Sequence, residues 1–65
     1  MTTEELKTHL TNIVVHGATC PTELANAILI EYLKIYPNAH VNLNCGACRI
    51  DMCKTLYNYY ASTSN

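Results

Sequence analysis

The chain has 65 residues and a formal net charge of -1, and 49% of its residues are apolar but only 14% charged. A chain of this length forms one small domain, which buries only about 60% of the surface that it exposes when unfolded. The four Lys and Arg residues form no basic footprint for phosphate backbones. We therefore expect one domain over residues 1–65 whose main partner is not nucleic acid.

The sequence carries no recognisable export or membrane signal. The longest apolar run, residues 27–30, is far shorter than the roughly 20 residues of a membrane helix. Residues 1–5 lack the basic and apolar regions of a signal peptide. We expect a chain that is soluble, unprocessed and not secreted, with no membrane partner, whose four cysteines are thiols or metal ligands rather than disulfides.

A first helix is predicted over residues 3–16. Thr2 or Thr3 can cap it, with Glu5 at the spacing of a capping box. Apolar residues then recur at helical spacing until Gly17, which suits a helix C-terminus.

A second helix is predicted over residues 21–36. Pro21 suits the first helical position, with Thr19 or Cys20 as the cap. Pro37 ends the helix because proline cannot donate a backbone hydrogen bond.

The second helix has apolar residues on two faces. Ile30 and Leu33 lie nearly opposite the main apolar stripe, which consists of Leu24, Ala25, Ile28, Tyr32 and Ile35. This pattern fits a central helix that is covered on both sides. It fits equally a helix that keeps one face for another chain.

The segment over residues 38–45 alternates between apolar and polar residues, which is typical of an extended chain with one buried face. It either packs on its own helices as an ordered loop, anchored by Val41 and Leu43, or adds to the sheet edge of a partner. We favour the ordered loop because connections usually pack on their own domain.

A third helix is predicted over residues 46–60, with Asn44 as its cap. Its predicted buried stripe consists of Ile50, Cys53, Leu56, Tyr57 and Tyr60. The tail over residues 61–65 is small and polar, so we expect it to fray. The fold class is therefore all-α, with three short helices and an extended segment between the second and the third.

Four residues could form a closed tetrahedral zinc site. His16 and Cys20 lie between the first two helices, and Cys45 and Cys48 form a C-x-x-C pair. A zinc ion would stabilise so small a core. The alternative, which we favour, is that the cysteines are reduced and packed, as Cys53 is expected to be in the core, so no cofactor is required.

No enzymatic site is predicted. The C-x-x-C pair at a helix start favours thiol exchange, but the known redox motif lies in a β-α-β context that this chain lacks. The sequence holds no paired carboxylates, catalytic triad or glycine-rich phosphate cradle. We therefore expect a protein that is not an enzyme.

Tyr59 and Met52 are candidates for the rim of a protein interface. Both are predicted to lie off the core stripe, and tyrosine and methionine are enriched at interfaces. They either bind a partner or cover the edge of the core. The candidate partner-binding residues are thus Ile30, Leu33, Val41, Leu43, Met52 and Tyr59.

The segment over residues 44–52, which reads NCGACRIDM, resembles a short element in small proteins encoded by tailed phages of gut bacteria. In those proteins a C-G-x-C motif lies at the start of the closing, C-terminal helix. The resemblance covers about residues 43–60, and Cys45, Gly46 and Cys48 correspond to the motif. It implies a virion or assembly role, with the protein in the host cytoplasm or incorporated in a virion.

The sequence as a whole favours a non-enzymatic interaction or structural subunit. Its partner is expected to be protein, as a homo-oligomer or a larger assembly, because charge is low and apolar residues remain on a second helix face. The alternatives are a zinc-stabilised adaptor or regulator with a Cys3His site and a small helix-turn-helix DNA-binding regulator.

Overall fold

The computed structural model describes residues 2–63, and it consists of three α-helices: α1 over Thr3–Val14, α2 over Thr22–Ile35 and α3 over Gly46–Thr63. Within that range no strand occurs. The predicted all-α class is therefore confirmed. None of the helices described combines the length and the apolar character that crossing a bilayer requires.

The first helix begins where the sequence predicts. Thr2 is its N-cap, and the Thr2 hydroxyl accepts a hydrogen bond from the Glu5 backbone N–H at 3.2 Å. The helix ends at Val14, two residues earlier than predicted. Gly17 then reverses the chain with a φ of +70°, a left-handed conformation that glycine adopts without strain.

The start of α2 differs from the prediction. Pro21 is itself the N-cap, with an extended backbone, rather than the first helical residue. Thr19 and Cys20 therefore lie outside the helix, and no side chain caps its first N–H groups. The helix ends at Ile35, one residue before the predicted end.

Two turns form most of the connection between α2 and α3. The Ala39 N–H donates to the Tyr36 carbonyl at 3.1 Å, and the Cys45 N–H donates to the Asn42 carbonyl at 3.1 Å. The Asn42 side chain also accepts the Asn44 N–H at 3.0 Å. The extended segment is therefore a loop whose backbone is fixed at both ends.

The third helix is capped by Cys45 and not, as predicted, by Asn44. The Cys45 sulfur accepts the backbone N–H of Cys48 at 3.3 Å, which is the hydrogen bond of an N-cap side chain. The Cys45 carbonyl accepts the Arg49 N–H at 3.1 Å. Asn44 lies one residue before the N-cap position. It belongs to the preceding turn, in which its N–H donates to the Asn42 side chain.

The third helix is also longer than predicted and extends to Thr63. The Thr63 hydroxyl donates to the Tyr59 carbonyl at 3.1 Å, which satisfies one of the last helical carbonyls. The tail predicted to fray thus overlaps the helix at residues 61–63. Its remaining two residues, 64 and 65, lie outside the described residues.

The core forms around α3, which packs against both other helices and most closely against α1. The fully buried apolar residues are Leu6, Leu10, Ile13, Ala25, Ile28, Met52, Cys53 and Leu56. Of the predicted α3 stripe, Cys53 and Leu56 are buried, while the other three members are only half-buried. The central helix is therefore α3, and α2 lies at the side of the domain.

Candidate functional site

The outer face of α2 is an exposed apolar surface. The side chain of Ile30 is 61% exposed and that of Leu33 is 36% exposed. The two residues are three apart on one helix, so their side chains are neighbours. Of the two arrangements that fit the sequence, the structure has the one in which this face is left uncovered.

A row of tyrosines extends this surface from the end of α2 to α3. The Tyr36 ring lies 5.1 Å from the Tyr32 ring and 6.3 Å from the Tyr59 ring, in tilted and edge-to-face contacts. Tyr59 in turn contacts Tyr60 edge to face at 5.4 Å. These distances are those of favourable aromatic pairs. We call the surface of Ile30, Leu33, Tyr36 and Tyr59 the α2 patch.

The α2 patch carries little charge. The ion pair nearest to it joins the Lys34 ammonium to the Glu31 carboxylate at 3.3 Å along the same helix. An exposed pair of this kind contributes only about 0.3–0.5 kcal/mol to the helix. The pair adds no net charge beside the patch.

The other three predicted partner-binding residues are not on this surface. Val41 and Leu43 are half-buried and pack on the core, which agrees with the ordered loop. Met52 is only 2% exposed. The prediction that Met52 lies off the core stripe is wrong, because the actual buried face of α3 is rotated toward Met52 and away from Ile50.

A shallow groove of about 200 Å³ lies between α2, the loop and α3. Its lining residues are Tyr32, His40, Val41, Cys48, Asp51, Met52 and Thr55. Pockets for small-molecule ligands usually have volumes of about 300–1,000 Å³. The groove is smaller than that, and its chemical interest is that it gives access to the Cys48 side chain.

Arg49 joins the two connections between helices. Its guanidinium donates to the Leu43 carbonyl, to the Cys20 carbonyl at 3.0 Å and to the Thr22 hydroxyl at 3.3 Å. These three bonds use the fork of donors that distinguishes arginine from lysine. The Arg49 donors are thus used in hydrogen bonds within the domain. Lys54 is the remaining cation on the described part of α3, which weakens the DNA-binding alternative.

The four cysteines form two pairs rather than part of one site. The Cys45 thiol contacts that of Cys48, and the Cys20 thiol contacts that of Cys53. Across residues 2–63, no three His, Cys, Asp or Glu side chains come together as a metal site, and His16 is exposed. The structure therefore does not bring together the four predicted zinc ligands, and zinc binding stays a prediction.

The thiols of the first pair differ in acidity. The Cys48 thiol and its backbone N–H both donate to the Cys45 sulfur, and they lower the pKa of Cys45. The same thiol hydrogen bond, together with burial, raises the pKa of Cys48. The negative charge of Asp51 raises the pKa of both. Within the pair, Cys45 is therefore the residue that ionises first.

The buried Cys53 thiol makes stability fall at alkaline pH. Burial and contact with Cys20 raise its pKa from the ordinary 9.0 to about 12. Between these values the unfolded chain has lost the proton and the folded chain still holds it, so the free energy of unfolding falls as pH rises. We expect the difference in stability between wild type and Cys53→Ala, measured by urea unfolding under reducing conditions, to narrow above pH 9.0.

This pH dependence has a matched control in Cys20→Ala, which leaves the Cys53 thiol in the core. That variant should keep most of the fall in the free energy of unfolding at alkaline pH. An equal slope of stability against pH in wild type and Cys53→Ala would contradict the assignment.

Comparisons with protein-family models, with curated proteins and with solved structures each found no match. The phage resemblance over residues 43–60 remains a prediction from the sequence.

Sequence reasoning missed both the Arg49 bonds and the contact between Cys20 and Cys53. Arg49 is the single arginine of the chain and lies next to Cys48. Its position in the sequence does not indicate which carbonyls it reaches. The signal in the sequence for the cysteine contact was stronger, since Cys53 was expected in the core and Cys20 lies two residues before the start of α2.

Proposed function

We propose that this protein is a non-enzymatic interaction subunit that self-associates through the α2 patch. The observation that carries the proposal is the exposure of Ile30 and Leu33, neighbouring large apolar side chains on the helix face that the core leaves uncovered. Tyr36, which is 37% exposed, continues the surface with the amphipathic side chain that interfaces favour.

A second copy of the chain is the occupant that best fits this surface. A stable interface takes about 800 Å² from each partner, and the accessible surface of this protein is 4222 Å². About a fifth of the surface would thus be covered in a dimer, centred on one face of α2. The net charge of -1 gives little repulsion between copies.

The test is the oligomeric state of Ile30→Asp. Burying an isoleucine side chain contributes about 1.5–3 kcal/mol, and a two-fold interface buries each residue twice. We therefore expect the variant to weaken self-association on the order of a hundredfold or more. Light scattering after size exclusion, across a concentration series under reducing conditions, measures this change, and circular dichroism checks the fold.

Val15→Asp is the matched control, because Val15 is 56% exposed but lies at the end of α1, outside the α2 patch. It should associate as wild type does. A monomeric wild type at high concentration, or equal weakening by the two substitutions, would contradict self-association through α2.

The narrower role that the sequence resemblance implies is a virion or assembly component of a phage, in the host cytoplasm or in the particle. It is compatible with a small self-associating subunit, and it rests on residues 43–60 alone. The zinc-stabilised adaptor draws no support from a specific contact among residues 2–63.

A further inference from the structure

The first turn of α3 holds two thiols in direct contact. The Cys48 backbone N–H donates to the Cys45 sulfur at 3.3 Å, and the interaction of the two thiols shifts their pKa values in opposite directions. Both residues are partly exposed, so small reagents reach the pair, and Cys48 also lines the groove beside α2. The arrangement differs from a lone exposed cysteine because a second sulfur is already positioned against the first.

The spacing suits a disulfide bond. Residues three apart in the first turn of a helix have their Cα atoms about 5 Å apart, and disulfides span Cα separations of about 4.4–6.8 Å. Closing this bond therefore requires a rotation of side chains and little movement of the backbone.

The two thiols have different roles in such a reaction. Only a thiolate attacks a disulfide, and the donors around Cys45 lower its pKa. Cys48 keeps its proton longer because its thiol donates to Cys45. Cys45 is therefore positioned to attack first, and Cys48 is positioned to attack the mixed disulfide that results.

The second thiol contact does not have these properties. Cys53 is fully buried, and its pKa is raised to about 12, so it supplies no thiolate near neutral pH. Its partner Cys20 is half-buried, packed against the core at the end of a connection that Arg49 fixes. Formation of an intramolecular disulfide should thus be confined to Cys45 and Cys48.

We propose that Cys45 and Cys48 form a reversible dithiol–disulfide couple that exchanges with low-molecular-weight disulfides of the glutathione type. The Cys45 thiolate attacks one sulfur of the reagent, forms a mixed disulfide and expels one thiolate. Cys48 loses its proton to solvent and attacks the Cys45 sulfur, which expels the second thiolate. The protein loses two electrons and two protons, and the reagent is reduced to two thiols.

The direct test incubates the reduced protein with oxidised glutathione, blocks the remaining thiols by alkylation in denaturant and measures the mass. We expect the loss of two of the four alkylatable thiols. Peptide mapping should place one disulfide between Cys45 and Cys48, and reduced glutathione should restore all four thiols. This inference depends on the thiol geometry and is independent of the proposed self-association.

Two serine variants separate the roles. Cys48→Ser should accumulate one glutathione on Cys45, because the second attack is removed. Cys45→Ser should react at Cys48 more slowly than Cys48→Ser reacts at Cys45. Serine is a favoured N-cap residue, so Cys45→Ser keeps the start of α3, which circular dichroism verifies. Cys20→Ser is the control and should still form the disulfide.

Three results would overturn the proposal. The first is a protein that keeps four free thiols after prolonged incubation. The second is a disulfide that maps to Cys20 and Cys53. The third is glutathione that adds to Cys48 in Cys45→Ser as fast as it adds to Cys45 in Cys48→Ser.

Discussion

Leu56→Ala should unfold most of the protein or bring it close to unfolding at room temperature. Leu56 has no exposed surface, and it belongs to α3, the helix on which both others pack. Truncating a buried leucine costs about 2–5 kcal/mol, including the cavity that remains. The core of a domain this small supplies only about 3–5 kcal/mol of net stability. One substitution therefore removes most of the free energy of unfolding.

Far-UV circular dichroism during heating measures this effect, and the melting temperature should fall by more than about 10 °C. Val15→Ala is the control, since it also truncates an aliphatic side chain, but one that is 56% exposed and lies outside the α2 patch. It should change stability by no more than about 0.5 kcal/mol. If the two variants melted together, the core would not be centred on α3.

Arg49→Ala should lower the free energy of unfolding by about 1.5–3 kcal/mol, the range for hydrogen bonds from a charged group. The guanidinium binds the Cys20 carbonyl at 3.0 Å and the Leu43 carbonyl, so it connects two segments that are remote in sequence. Both carbonyls would lose this donor. Urea unfolding under reducing conditions measures the change.

Arg49→Lys distinguishes the shape of the guanidinium from its charge. Lysine has one compact ammonium and cannot reproduce the planar fork of donors. We expect it to lose most of the same stability. Lys54→Ala, which removes an exposed cation from the same helix, should have almost no effect. Wild-type stability in Arg49→Lys would mean that charge alone matters at this position.

The helices were predictable because their signals are local. The Thr2 cap, the apolar periodicity and the two prolines lie inside or next to the elements that they specify. The predicted helix ends and caps were less accurate, and the ends that differ do so by one to three residues. The residues at a helix end also form hydrogen bonds with partners outside the helix, which its own sequence pattern does not indicate. The Asn42 turn is an example, since it displaces the α3 cap from Asn44 to Cys45.

The candidate sites were only partly predictable, because they depend on which helix is central. The sequence indicated two apolar faces on α2 and left open whether Ile30 and Leu33 were covered. The packing of α3 against α1 and α2 decides its rotation and so buries Met52. The apolar pattern of α3 alone does not predict this rotation. Contacts between distant residues, such as Cys20 with Cys53, follow from that packing and not from spacing.

The central position of α3 also determines when the protein can fold during synthesis. The first two helices share few contacts with each other, and both rely on α3, which the ribosome makes after them. At about 5–20 residues per second, the 18 residues of α3 take roughly 1 to 4 s to add. Until they emerge, Leu10 and Ile28 have no surface to pack against. The nascent chain therefore keeps part of its core surface exposed until α3 is added.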